Sequence, residues 1–165
     1  MKITDLLGKE WDVDCMGCAI SNGSMKVPGG FVQQTEYFAV HQDPLIPLPG
    51  FFVIASLRHI RSISQMQDSE YQELAKLIRA AHRAITETIN IESLTLVQEE
   101  SSVHFHLWFF PWTGDVIKSF GQPSLTKIRE IMSASRRQPV DATQWRELES
   151  SIEKIRTRMA EHQRL

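Results

Sequence analysis

Two short stretches of the chain carry residue types that can do chemistry. The first, Val103-His104-Phe105-His106-Leu107-Trp108-Phe109-Phe110-Pro111, alternates imidazoles with large apolar side chains. In an extended strand successive side chains point to opposite faces. His104, His106 and Trp108 would then share one face, and Phe105, Leu107 and Phe109 would enter a core. Paired imidazoles can act as nucleophile, proton carrier or metal ligand, because imidazole is substantially neutral near pH 7. The bland alternative is two half-buried histidines satisfied by hydrogen bonds. The second stretch, Cys15-Met16-Gly17-Cys18, holds the only two cysteines. Their spacing suits a metal site or a redox dithiol rather than a disulfide scaffold, with two inert buried thiols as the alternative.

These residues need a scaffold, and 165 residues at 42% apolar composition can supply one domain, or one domain plus an appendage. A net charge of −2 argues against a broad electrostatic surface for a nucleic-acid polymer or a membrane, so an anionic ligand requires a local site. Residues 1–11 carry Asp5, Lys9 and Glu10 and read as neither signal peptide nor anchor. No apolar run approaches the roughly 20 residues of a spanning helix. With so few cysteines, the expected compartment is a reducing cytoplasm.

Phe31–Gln34 and Tyr37–His41 read as strands joined by a turn at Thr35. Asp43–Gly50, with three prolines, reads as a loop. Phe51–Ala55 reads as a central strand. Leu74, Leu77, Ile78, Ala81, Ile85 and Ile89 recur at helical spacing behind a cap at Asp68 or Ser69. Leu94–Val97 and Val103–Phe110 follow as strands, linked by Gln98–Ser102. The expected class is α+β, a five-stranded antiparallel sheet with one long helix over residues 1–116. A two-helix extension over 117–165 completes the chain. Its first helix carries Leu125, Ile128 and Met132; its second carries the seam Trp145, Leu148, Ile152, Ile155, Met159. A stripe of that kind must cover something, either its own chain or a partner subunit.

The segment His104-Phe105-His106-Leu107-Trp108-Phe109-Phe110-Pro111 resembles the motif of the histidine-triad family. In that motif, histidines alternate with hydrophobic residues and a proline often closes the strand. Cys15-x-x-Cys18, the Asp43 loop, the strand leading to Arg58-His59-Ile60 and the long helix stand in the same order as in that family. The resemblance spans roughly residues 12–112. Only two of three histidines are present. In one register Ser102 replaces the first and His104 is central; in the other Trp108 replaces the third and His106 is central. The second is favoured, because it puts the proline at the family's offset and Ser101 at the position of the family's hydroxyl residue. It also supplies all four ligands of the structural zinc found in branches of the family: Cys15, Cys18, His59 and His104.

The resemblance implies a nucleotide phosphohydrolase or nucleotidyltransferase, similar to diadenosine polyphosphate hydrolases. His106 would attack the α-phosphorus and form a nucleotidyl-histidine intermediate. Ser101, His104 and Trp108 would contact the phosphoryl group, Gln98 would stand where many members place an asparagine, and Gln42 or Asp43 would hold a ribose hydroxyl. A solvated loop residue is the competing reading for Gln42, Asp43 and Gln98. An indole offers one donor and cannot shuttle a proton, so Trp108 is the departure that bears on turnover. The implied cofactor is structural zinc, the implied partners a small-molecule nucleotide and a second copy in a homodimer. The alternatives are a non-catalytic, zinc-stabilised nucleotide-binding module and a zinc-dependent interaction protein. His41, at a strand end, is read as structural, and His82 and His162 as surface residues.

Overall fold

A computed structural model describes residues 1–136 and 139–162; positions 137–138 and 163–165 of the expected extension lie outside the described residues. The chain opens with a hairpin of β1 (Lys2–Thr4) and β2 (Glu10–Asp12), followed by α1 (Met16–Ser21). Then come β3 (Phe31–Gln34), β4 (Phe38–Gln42) and β5 (Phe52–Ser56), and the long helix α2 (Asp68–Thr88). Strands β6 (Ile91–Gln98) and β7 (His106–Thr113) are followed by α3 (Gly114–Phe120), α4 (Leu125–Ser135) and α5 (Ala142–His162). Strands β3 to β7 form one antiparallel sheet in the order β3-β4-β5-β7-β6, the expected α+β architecture.

Both faces of this sheet are covered, which is why β4 and β5 are buried at every residue. On one face Phe38, Val40, Phe52, Ile54, Leu107 and Phe109 pack against Leu74, Leu77, Ala81, Ala84 and Ile85 of α2. The same cluster takes Leu148, Ile152, Ile155 and Met159 of α5, so the seam foreseen in the sequence covers its own chain. Arg156 of α5 donates to the carbonyl oxygens of Phe31 and Gly29. Gly29 has φ +76°, and a Cβ there would lie 2.7 Å from Ile152, so this turn takes glycine for both conformation and space. On the opposite face Phe51, Phe110 and Trp112 pack with Ile128, Ile131 and Met132 of α4.

Several boundaries differ from expectation for local reasons. Helix α2 is capped at Gln67, not at Asp68 or Ser69, because the Gln67 and Glu70 side chains reciprocally cap each other's backbone. The buried Glu70 carboxylate also receives two hydrogen bonds from Arg58, at 2.7 and 2.8 Å. The motif strand starts at His106 rather than Val103, because the Phe105 N–H leaves the ladder and donates to Ile60 O at 2.6 Å. Gln98 and Gln42 belong to strand ends rather than to loops. The β1–β2 hairpin and α1 and α3 add elements the pattern did not announce, and His162 is not a free surface residue, since its ring meets Glu87 at 3.1 Å.

Candidate active site and metal centre

The sheet register sets the site. His106 of β7 stands opposite Ala55 of β5, which stands opposite Ala39 of β4. The next row on the same face is His41, Val53, Trp108 and Val97. The small Ala55 beside His106 leaves room above the sheet. A cavity of about 400 Å³ fills it, lined by His106, Trp108, His41, Asp43, Met16 and Arg136 among others.

His106 is half-buried in the floor, and its Nδ1–H donates to the carbonyl oxygen of His104 at 3.0 Å. A carbonyl only accepts, so this bond fixes the tautomer and leaves Nε2 as the nucleophilic nitrogen available to a ligand. The Trp108 ring lies 5.2 Å from that of His106 and edge-on to Phe51 at 6.0 Å, which makes it an apolar wall of the cavity.

Beside the cavity, Cys15, Cys18, His59 and His104 place four ligand atoms within 4.8 Å of one another. Cys18 Sγ lies 3.0 Å from Nδ1 of His59 and 3.5 Å from Nδ1 of His104. Cys15 Sγ lies 3.7 and 3.5 Å from the same two atoms. Tetrahedral zinc with thiolate and imidazole ligands separates them by about 3.3–3.8 Å, so the donor set fits in type and number. The 3.5, 3.5 and 3.7 Å sulfur–nitrogen distances fall in that range, while Cys18 and His59 stand closer. The Nε2–H of His104 donates to Ser56 O at 2.7 Å, which leaves the Nδ1 lone pair to the cluster. Burial, with His59 and His106 nearby, lowers the His104 pKa and keeps the ring neutral, as ligation requires. Partial burial and then the neighbouring Cys15 push the Cys18 thiol up, so Cys18 ionises more readily beside a cation.

The supports of this cluster come from three segments. Arg58 ties the His59 segment to Glu70, and Ile60, 2% exposed, anchors its other side. Helix α1 carries Cys18 and approaches so closely that a Cβ on Gly17 would lie 2.3 Å from Cγ of His104. Glycine between the two cysteines is thus a condition of the cluster, a constraint that only the contact with His104 reveals.

The remaining expected ligand-binding residues separate. Asp43 lines the cavity; its Oδ1 accepts from the N–H groups of Leu45 and Ile46, and burial raises its pKa against those bonds. Gln42 lies outside the lining, its amide donating to Ile46 O and Leu48 O at 3.0 and 3.2 Å. Gln98 is also outside the lining and keeps a buried Nε2 without a partner. Ser101 is exposed and away from the cavity, whereas its neighbour Ser102 lines it and bridges the backbone of His104.

Among the lining residues, His41 is read in the sequence as structural, and Arg136 is not read there as part of any site. His41 is 2% exposed, bonds Gln42 O through Nδ1 at 2.8 Å, and has no partner for Nε2 among the described residues. Burial lowers its pKa to about 4. Its place on β4, one residue before Gln42 and Asp43, was the available signal. Arg136, at the C-terminal end of α4, gave no local signal.

No protein-family model and no curated relative matches the chain. Solved structures do. A hypothetical histidine triad nucleotide-binding protein from Sulfolobus tokodaii aligns with a TM-score of 0.63 at 20% identity, over 89% of this chain and 93% of that one. A zinc-bound histidine triad family protein from Mycobacterium smegmatis aligns at 0.63 and 16% identity, over 91% and 96%. A HIT-family protein from Bacillus subtilis aligns at 0.57 and 18% identity, over 86% and 96%. The chain therefore has the histidine-triad fold.

Proposed function

We propose that this chain is a nucleotide-binding histidine-triad protein that cleaves its substrate at the α-phosphate through His106. The observation that carries this reading is the His106 tautomer, fixed by His104 O beside an open cavity. Nε2 attacks the α-phosphorus; a P–N bond forms and the bond to the leaving group breaks. Water then attacks the nucleotidyl-histidine, the P–N bond breaks, and a nucleoside monophosphate leaves with His106 restored. Dinucleoside polyphosphates are the substrate type that goes with the family resemblance. Asp43, rather than Gln42, is the residue assigned to a ribose hydroxyl, since Asp43 lines the cavity. His104 acts through its backbone carbonyl and through the metal cluster.

Cys15, Cys18, His59 and His104 would hold one zinc ion. The ion would be structural: four protein ligands close its coordination sphere, and it would join α1, the His59 segment and the start of the motif strand. The zinc-bound protein of the same fold supports this assignment. A homodimer in the cytoplasm goes with the same reading, and light scattering tests the dimer. No helix among the described residues is long and apolar enough to cross a membrane.

A second reading rests on Trp108, whose indole cannot pass a proton to a leaving group. In that reading the chain binds nucleotide without turnover. Incubation with diadenosine tetraphosphate, quenching without acid and intact-mass measurement distinguish the two. A nucleotidyl mass increment lost in His106→Ala supports catalysis. Binding with neither increment nor product supports the module, and absence of binding overturns both.

A further inference from the structure

The cavity has to hold an anion, and its lining offers little positive charge. His41 is held neutral by burial, Trp108 carries no charge, and Asp14 and Asp43 are acidic. Among the described residues, one cationic side chain lines the cavity: Arg136.

Its position follows from how α4 is seated. Ile128, Ile131 and Met132 pack into the cluster of Phe51, Phe110 and Trp112, against which Trp108 also rests. Arg129 donates to both carboxylate oxygens of Glu99 at 2.6 Å, tying the helix to the link between β6 and β7. Arg129, Met132 and Arg136 follow at intervals of three and four, so they share one helical stripe. The three members do different things: Arg129 is spent on Glu99, while Met132 and Arg136 reach the cavity. Among the described residues Arg136 makes no ion pair. Its charge is felt at Asp43 across the cavity, where it works against the burial that raises that carboxyl's pKa. The ordinary role of an arginine at a helix C-terminus is to complement the dipole. Arg136 is exposed and stands at the rim of the cavity, so the helix end and the cavity both have access to its charge.

We propose that Arg136 is the phosphate-holding cation of the cavity, supplied by α4 in place of the charge that Trp108 lacks. This rests on the nucleotide reading of the site and adds to it. The guanidinium fork pairs with phosphate oxygens, so affinity should rise with phosphate charge. The extension then has a functional part, α4, which brings a cation from outside the span of the family resemblance.

The test is titration of the purified full-length protein with adenosine, AMP, ADP and a non-hydrolysable ATP analogue at two salt concentrations. Wild type should bind more tightly along that series, and the gain should shrink at high salt. Arg136→Ala should leave adenosine affinity and melting temperature unchanged and weaken the ATP analogue about tenfold or more. Arg136→Lys should recover part of that loss. A wild-type gradient that persists undiminished in Arg136→Ala overturns this assignment and leaves the nucleotide reading standing. Failure of wild type to bind any of the four ligands overturns both.

Discussion

The Nδ1–H of His106 donates to the carbonyl oxygen of His104 at 3.0 Å, while the His104 ring turns its own Nδ1 to Cys15 and Cys18 at 3.5 Å. One residue thus serves two places, with its backbone orienting the His106 ring, the proposed nucleophile, and its side chain completing the cluster of Cys15, Cys18 and His59. His106→Ala should lower α-phosphate cleavage about a thousandfold or more with little change in melting temperature, since removal of a nucleophile acts on the transition state alone. His104→Ala should instead lose both stability and metal. Steady-state kinetics beside thermal melts separate the two variants, and the reverse pattern would make His104 the nucleophile.

Metal content is the second expectation. Purified protein should hold one zinc per chain, and Cys15→Ser or His59→Ala should lose it and melt about 10 °C or more lower, because metal-binding free energy is folding free energy here. Gly17→Ala removes no ligand, yet its Cβ would fall 2.3 Å from the His104 ring. It should therefore weaken zinc retention as well. Metal analysis by mass spectrometry decides, and zinc-free wild type with two freely titrating thiols would refute the site.

Acid sensitivity follows from His41. Its folded pKa, about 4, lies below the ordinary value of 6.5 because the ring is buried. Between these values the unfolded chain binds the proton and the folded chain does not, so stability falls as pH drops from 6.5 to 4. The slope is at most about 1.4 kcal/mol per pH unit. His41→Leu should flatten that part of the stability curve relative to wild type. His106, whose charge is felt at His41, is present in both proteins, and any acid release of metal is likewise common to both. Urea melts at pH 4.5, 5.5 and 7 measure the difference, and parallel curves would show that His41 does not carry it.

The clustering of Cys15, Cys18, His59 and His104, and the place of His106 on the cavity floor, were legible because each is a distinctive residue type at a fixed spacing, held in chain order between recognisable strands. Helix α2 was legible through its apolar period, and the prolines between Asp43 and Gly50 marked the loop below the cavity. His41 was not, because its burial comes from cover supplied by other segments, and a histidine at a strand end looks the same in sequence whether covered or solvated. Arg136 lies outside the span of the resemblance and reaches the site only through the packing of α4. The alternation rule placed His104 on the face it does occupy but assumed a strand that begins only at His106. The Phe105 N–H bonded to Ile60 O is a long-range pairing that periodicity cannot encode.

The last expectation concerns α5. Leu148, Ile152, Ile155 and Met159 are each at most 1% exposed and share one cluster with Leu74, Leu77 and Ile85 of α2 and Val32 of β3. Each such side chain contributes about 1.5–3 kcal/mol by burial, so the four together match the whole stability of an ordinary domain, about 5–15 kcal/mol. Arg156 adds its hydrogen bonds to the Gly29 turn, and Val140 N–H donates to Leu6 O at 2.9 Å just before the helix. Removal of everything after Pro139 would strip α2 and β3 of this cover. The shortened chain should be insoluble, or lack a cooperative melt, rather than fold as a smaller nucleotide-binding domain. Ile152→Ala in the full chain should cost about 2–5 kcal/mol in urea unfolding while leaving nucleotide affinity unchanged, because Ile152 packs on the sheet face opposite the cavity. A truncated protein that melts cooperatively near the full-length temperature would show that α5 is dispensable cladding, whatever its burial.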